Sequence, residues 1–121
     1  MLGHVYLDLY PRDNKYQYAA SFPLLKRAEV KGKVMLPAVA LLCNFERAQP
    51  DRESLLYHDD VSTFFHEFAH VMHTICSTNK YIKFSGTNVE KDYVEMPAAM
   101  LENMVWEKSI LLRISNHYQQ K

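Results

Sequence analysis

The sequence predicts an α+β protein, mainly helical with a small antiparallel β element. Three observations carry that expectation. A stretch at 63–76, TFFHEFAHVMHTIC, has apolar residues at helical spacing; a second helical pattern occupies about 88–118; and HVYLDLY near the amino terminus alternates as a strand does.

Taken in order, Val5, Leu7 and Leu9 fall on one side of the first strand and Tyr6, Asp8 and Tyr10 on the other, until Pro11 and RDNK turn the chain. A second apolar run, VMLPAVALLCNF from Val34 to Phe45, contains Pro37, which confines that part to an edge strand or a strand start. It is expected beside the first strand, at an edge. The polar segment 46–58 reads as a loop ending at Asp59 and Asp60, either of which suits a helix N-cap. The helix that starts there should run to Thr78 or Asn79. The next helical stretch carries Pro97, which imposes a kink or a fresh start.

Composition narrows the function. With 121 residues the chain amounts to one domain, and 14 basic residues balance 14 acidic ones, which disfavours nucleic acid and anionic membranes as partners. Cys43 and Cys76 lack a C-x-x-C spacing and suit buried free thiols in a reducing compartment, so an intracellular, cytoplasmic location is expected. No targeting segment is visible, and no apolar run is long enough to span a bilayer. A hydrophobic share of 48% with three glycines is a heavy apolar load for this length, so part of the surface should meet a neighbour.

The informative feature is one helix face. At about 100° per residue, with His66 at zero, His70 falls at about 40°, His73 at about −20°, Asp59 at about 20° and Glu67 at about 100°. Val61, Phe64, Phe65, Phe68, Val71, Met72 and Ile75 occupy roughly 140–260°. A merely solvated face would use Lys, Glu and Gln; this one uses histidine. Two imidazoles one turn apart can aim at one ion, with Glu67 beside the open coordination position, which is the H-E-x-x-H arrangement of zinc peptidases. The chain's own composition yields about 0.02 chance matches to that pattern, so accident is a poor explanation.

A catalytic zinc needs a third protein ligand. His73 is too close on the same helix to serve as the distant histidine of H-E-x-x-H-x-x-G-x-x-H, and no glycine stands at the right place. Downstream carboxylates remain: Glu90, Asp92, Glu95 and Glu102. The last three share a helix face, and geometry alone does not choose among them.

Three blocks are more specific: YLDLYPRDNKY (6–16), HDDVSTFFHEFAHVMH (58–73) and FSGTNVEKDYVEMPAAMLENMVWE (84–107). Together they resemble the catalytic region of the thimet oligopeptidase and neurolysin family of zinc peptidases, over almost the whole chain. The resemblance implies a zincin-like core, one Zn2+ per chain on His66, His70 and Glu95, and Glu67 as general base. It implies a metalloendopeptidase acting on short peptides, and a partial catalytic domain over 1–121: β element 1–45, zinc helix about 59–79, ligand helix about 88–118. Asp92 and Glu102 are then candidates to orient the ligating histidines. Family members are several times longer, with helices that wall a channel and a glycine-rich loop that supplies oxyanion donors. The missing remainder of such a peptidase, or a second copy, is therefore an expected partner, and mitochondrial is the alternative location.

This chain departs from the family's pattern at Ala69, where glycine is usual, at PAAM (97–100), where PSQM is usual, and in the loop from Phe22 to Val34. The rival function is a zinc-binding or partner-docking fragment without turnover; a helical core without metal is the third reading. The strand around Val39–Cys43 could pair with an extended substrate, the equal alternative being a purely structural edge strand. His4, His58 and His117 are expected at surface or structural positions, His73 near the site, Trp106 in the core, and Cys76 off the metal face; Tyr81 and Tyr93 could donate to an oxyanion, but with eight tyrosines in the chain most are expected to serve packing.

Overall fold

A computed structural model describes residues 1–115; His117 and the expected helix end at Tyr118 lie outside the described residues. The elements run β1 (His4–Asp8), β2 (Ala20–Leu25), β3 (Ala28–Val30), β4 (Lys33–Met35), β5 (Ala38–Leu42), α1 (His58–Ile75), a 3-10 turn (Ile82–Phe84), α2 (Lys91–Met104) and α3 (Lys108–Ile114). The mixed α+β character agrees with the expectation. No described helix is long and apolar enough to cross a membrane.

The sheet differs from the expected antiparallel edge arrangement. Its order is β1-β5-β2, so the run after Pro37 is the central strand. β1 pairs with it in parallel, from His4↔Ala38 to Asp8↔Leu42, and β2 pairs antiparallel, from Ala20↔Leu42. The physical reason is that AVALL, free of proline, keeps every backbone N–H and C=O available for ladders on both edges, Pro37 lying outside the strand. Pro37 stands just before the strand, where its missing N–H removes no ladder bond, and its carbonyl accepts the His4 N–H at 2.9 Å. Pro23 sits in β2, an edge strand that tolerates it. β3 and β4 form a hairpin whose two loop residues, Lys31 and Gly32, have φ of 51° and 74°, the backbone a two-residue primed turn needs.

Val39, Leu41 and Cys43 project from one face of β5 onto Val71 and Ile75 of α1, with Leu9, Phe45, Phe64 and Phe68 packed around them. Val39, Leu41 and Val71 are fully buried, each contributing about 1.5–3 kcal/mol of apolar burial. This is the apolar half of the α1 wheel, so the opposite half, with His66 and His70, is turned away from the sheet.

One buried cation fastens the ends of β1 and β5. The Lys15 ammonium donates to the carbonyls of Asp8 and Tyr10, both at 2.8 Å, and to that of Cys43, and lies 3.1 Å from the Asp8 carboxylate. Hydrogen bonds from Arg12, then from Lys15, hold the Asp8 carboxyl below its ordinary range.

α1 begins one residue earlier than expected and is capped differently. Tyr57 is the N-cap, and Asp60, in the third helical position, accepts the Tyr57 N–H at 3.2 Å. The helix ends at Ile75 rather than near Asn79. The chain then folds back, with Gly86 N–H donating to Ser77 Oγ at 3.0 Å. Gly86 has φ +64°, and a Cβ there would stand 3.2 Å from the Thr74 side chain, so glycine is required for both reasons.

α2 packs against α1, burying Ala98 completely. Helix assignment continues through Pro97, and the break expected there falls instead at Val105–Glu107, before α3. Trp106 is not in the core: it is 65% exposed, its ring 4.2 Å from that of His58. His58 Nε2 also meets the Val105 carbonyl at 3.3 Å, so this histidine ties the start of α1 to the end of α2.

Candidate metal centre

The α1–α2 interface brings two histidines and a carboxylate together. His66 and His70, one turn apart on α1, both present Nε2 to Glu95 Oε2 on α2, at 3.3 Å and 3.4 Å. One ligand atom from each residue lies within 4.8 Å of the other two. Ligands held about 2.0–2.2 Å from a tetrahedral zinc stand about 3.3–3.5 Å apart, the size of the two separations found here.

Protonation makes the same point. His66 Nδ1 lies 3.0 Å from Glu102 Oε2, and a carboxylate accepts, so Nδ1 carries the proton. In the neutral ring Nε2 is then a bare lone pair facing the Glu95 carboxylate, a contact between two acceptors. A cation between them, or a second proton on the ring, removes the repulsion. Glu102 is itself fixed by a 3.3 Å hydrogen bond from Ser62 Oγ.

Glu67 follows His66 on α1 and is not one of the three clustered residues; its charge is felt at Cys43. Burial, then the charges of Glu67 and Asp60, push the Cys43 thiol up to about 11 against the pull of Lys15. It stays neutral at physiological pH.

The other sequence candidates divide plainly. Asp92 is exposed at the start of α2 and lines a surface cavity with Tyr93 and Lys83; it is not in the cluster. Glu90 is the exposed residue preceding α2. His73 sits one turn beyond His70, its ring 6.2 Å from Tyr93, and burial, then the nearby His70, lower its pKa. Tyr81 is 65% exposed on the loop before α2. Cys76 is exposed at the end of α1, clear of the histidines' face. Ser62 was not singled out by the sequence reading, although its place four residues before His66 puts it on the same face.

His66, His70 and Glu95 thus form a His–His–Glu cluster across two packed helices that could hold a metal ion, with the Glu67 carboxylate next in sequence to the first histidine. The peptidase family M3 model matches residues 1–121, and the chain belongs to that family. It is 47% identical over 121 residues to the thimet-like oligopeptidase of Dictyostelium discoideum, covering 98% of this chain and 18% of that protein. Saccharolysin of Saccharomyces cerevisiae is 41% identical over 120 residues, 98% of this chain and 17% of that protein. The mitochondrial intermediate peptidase of Arabidopsis thaliana is 41% identical over 118 residues, 97% and 17%. The chain thus spans less than a fifth of the length of these relatives.

Proposed function

We propose that the chain is a partial catalytic domain of a zinc-dependent metalloendopeptidase that hydrolyses short peptides, with His66, His70 and Glu95 as metal ligands and Glu67 as general base. The observation that carries this reading is the convergence of three lone-pair atoms on one point, at ligand-to-ligand separations. Family membership supports the peptidase class.

When bound there, zinc supplies Lewis-acid polarisation of water and of the scissile carbonyl. Glu67 takes a proton from the attacking water and returns it to the leaving amine. Glu102 and Ser62 hold the His66 ring in the tautomer that leaves Nε2 free for the ion.

β5 is unavailable for pairing with a substrate strand, since both its edges are occupied. The outer edge of β2, the edge strand that packs beside α1, is the place where an extended peptide would add. The compartment we assign is cytoplasmic, with mitochondrial the alternative favoured by the name of the A. thaliana relative.

The second reading, a zinc-binding or docking fragment without turnover, is favoured by the exposure of Leu7, Tyr57, Trp106 and Leu112. Zinc stoichiometry combined with hydrolysis of a quenched short peptide separates the two. The peptidase reading expects one zinc per chain and turnover that Glu67→Gln abolishes while zinc is retained. Equal rates in the native and Glu67→Gln chains would leave only the docking reading.

A further inference from the structure

A separate cavity of about 280 Å3 opens along the flank of α1, lined by Gln17, Tyr18, Cys43, Asn44, Asp60 and Thr63 among others. Asp60 and Thr63, which line the cavity, share one flank of the helix with Glu67, the three recurring at i, i+3 and i+7. Cys43 lines the cavity and feels the charges of Lys15, Glu67 and Asp60, in that order; the Lys15 ammonium is already engaged by three backbone carbonyls and the Asp8 carboxylate.

The chemistry of the walls is one-sided. Among the described residues Asp60 is the only charged one lining the cavity, and no lysine or arginine pairs with it. One of its oxygens accepts the Tyr57 N–H, leaving the other for a ligand. Asn44 donates its amide N–H to the Tyr16 carbonyl, so its own oxygen is also left as an acceptor. Gln17 and Thr63 add neutral hydrogen-bonding groups at the walls.

The strand directions fix which end of a bound peptide meets this cavity. β2 starts at Ala20, opposite Leu42 at the end of β5. The start of α1 lies at that same end, where Phe64 packs 6.2 Å from Phe45. The end of α1 lies at the other, where Ile75 closes on Gly3 and Pro37. A peptide added to β2 in the more stable antiparallel sense therefore brings its carboxyl-terminal residues to the cavity.

We propose that this cavity is a subsite for a basic side chain, lysine or arginine, on the leaving-group side of the scissile bond. The inference rests on the peptidase reading and on peptide addition to β2; it names the substrate class of that site.

The test uses zinc-loaded chain and two quenched peptides that differ only in having lysine or glutamate after the scissile bond, with binding measured in parallel on Glu67→Gln. The expected result is a preference of about tenfold for the lysine peptide in kcat/KM and in binding, reduced toward unity by Asp60→Asn and reversed by Thr63→Lys. Thermal melts establish that both variants fold, and the reversal by Thr63→Lys does not depend on the Asp60 cap. Cleavage of both peptides at equal rates, unchanged by either variant, overturns the subsite and leaves the peptidase reading standing. Preferential binding of the lysine peptide without cleavage keeps the subsite and overturns turnover. Absence of both cleavage and binding overturns both.

Discussion

Glu102 on α2 and His66 on α1 meet across the helix interface at 3.0 Å, and Ser62, one turn before His66, donates to the other oxygen of the same carboxylate at 3.3 Å. This pair sets the ring orientation and tautomer of a proposed ligand without facing the ion. Replacing Glu102 by Ala is expected to weaken zinc binding by about 10–100-fold, and by Gln, which keeps an acceptor, by less. Competition against a chromophoric chelator measures both. Equal affinity in the Ala variant and the native chain would remove the positioning role.

Metal removal should loosen α2 selectively. Its described contacts bury only Ala98 fully within the helix, so an ion shared by His66, His70 and Glu95 would contribute much of its hold on α1. With chelator, amide exchange is expected to accelerate over 91–104 while β5, with Val39 and Leu41 in the core, stays protected. Uniform acceleration of both elements would contradict the picture.

Lys15→Met is expected to destabilise the chain by about 3 kcal/mol, read from denaturant midpoints. The methionine fills much of the same space, but the carbonyls of Asp8, Tyr10 and Cys43 lose their shared donor. A loss below about 1 kcal/mol would mean that water takes over those carbonyls without cost.

Stability should fall on the alkaline side because of Cys43. Its folded pKa of about 11 lies above the ordinary 9.0, so the folded chain retains a proton that the unfolded chain gives up first. The contribution is complete below pH 9 and is lost as the pH rises from there through about 11. The difference between 9.0 and about 11 corresponds to roughly 3 kcal/mol, at about 1.4 kcal/mol per pKa unit. Urea unfolding at pH 8 and pH 10.5 should show a smaller decline in Cys43→Ala than in the native chain.

The site was legible in proportion to how local it is. His66, His70 and Glu67 are placed by the geometry of one helix, and the structure turns that face away from the sheet as the wheel expects. The choice among carboxylates is tertiary: Asp92, Glu95 and Glu102 share a face of their own helix, but only the packing against α1 brings Glu95 to both histidines and Glu102 to the back of His66. The sheet was less legible. Pro37 read as an interruption of a strand when it only precedes one, and Pro23 masked β2, whose edge position makes proline harmless. The β3–β4 hairpin did carry a signal in Lys31-Gly32, a pair suited to positive φ. Trp106 misled because its apolar ring covers His58 at the surface instead of entering the core.

Among the described residues β1 pairs along one side only, with β5, and Val5, Tyr6 and Leu7 are 41–58% exposed. A bare margin of that kind is a template for ribbon growth. Concentrated solutions of the 121-residue chain should therefore turn turbid and bind amyloid dyes faster than those of Leu7→Lys, which plants a charge on that margin. Ribbon growth at β1 and the peptide addition proposed at β2 thus concern opposite margins of the same sheet.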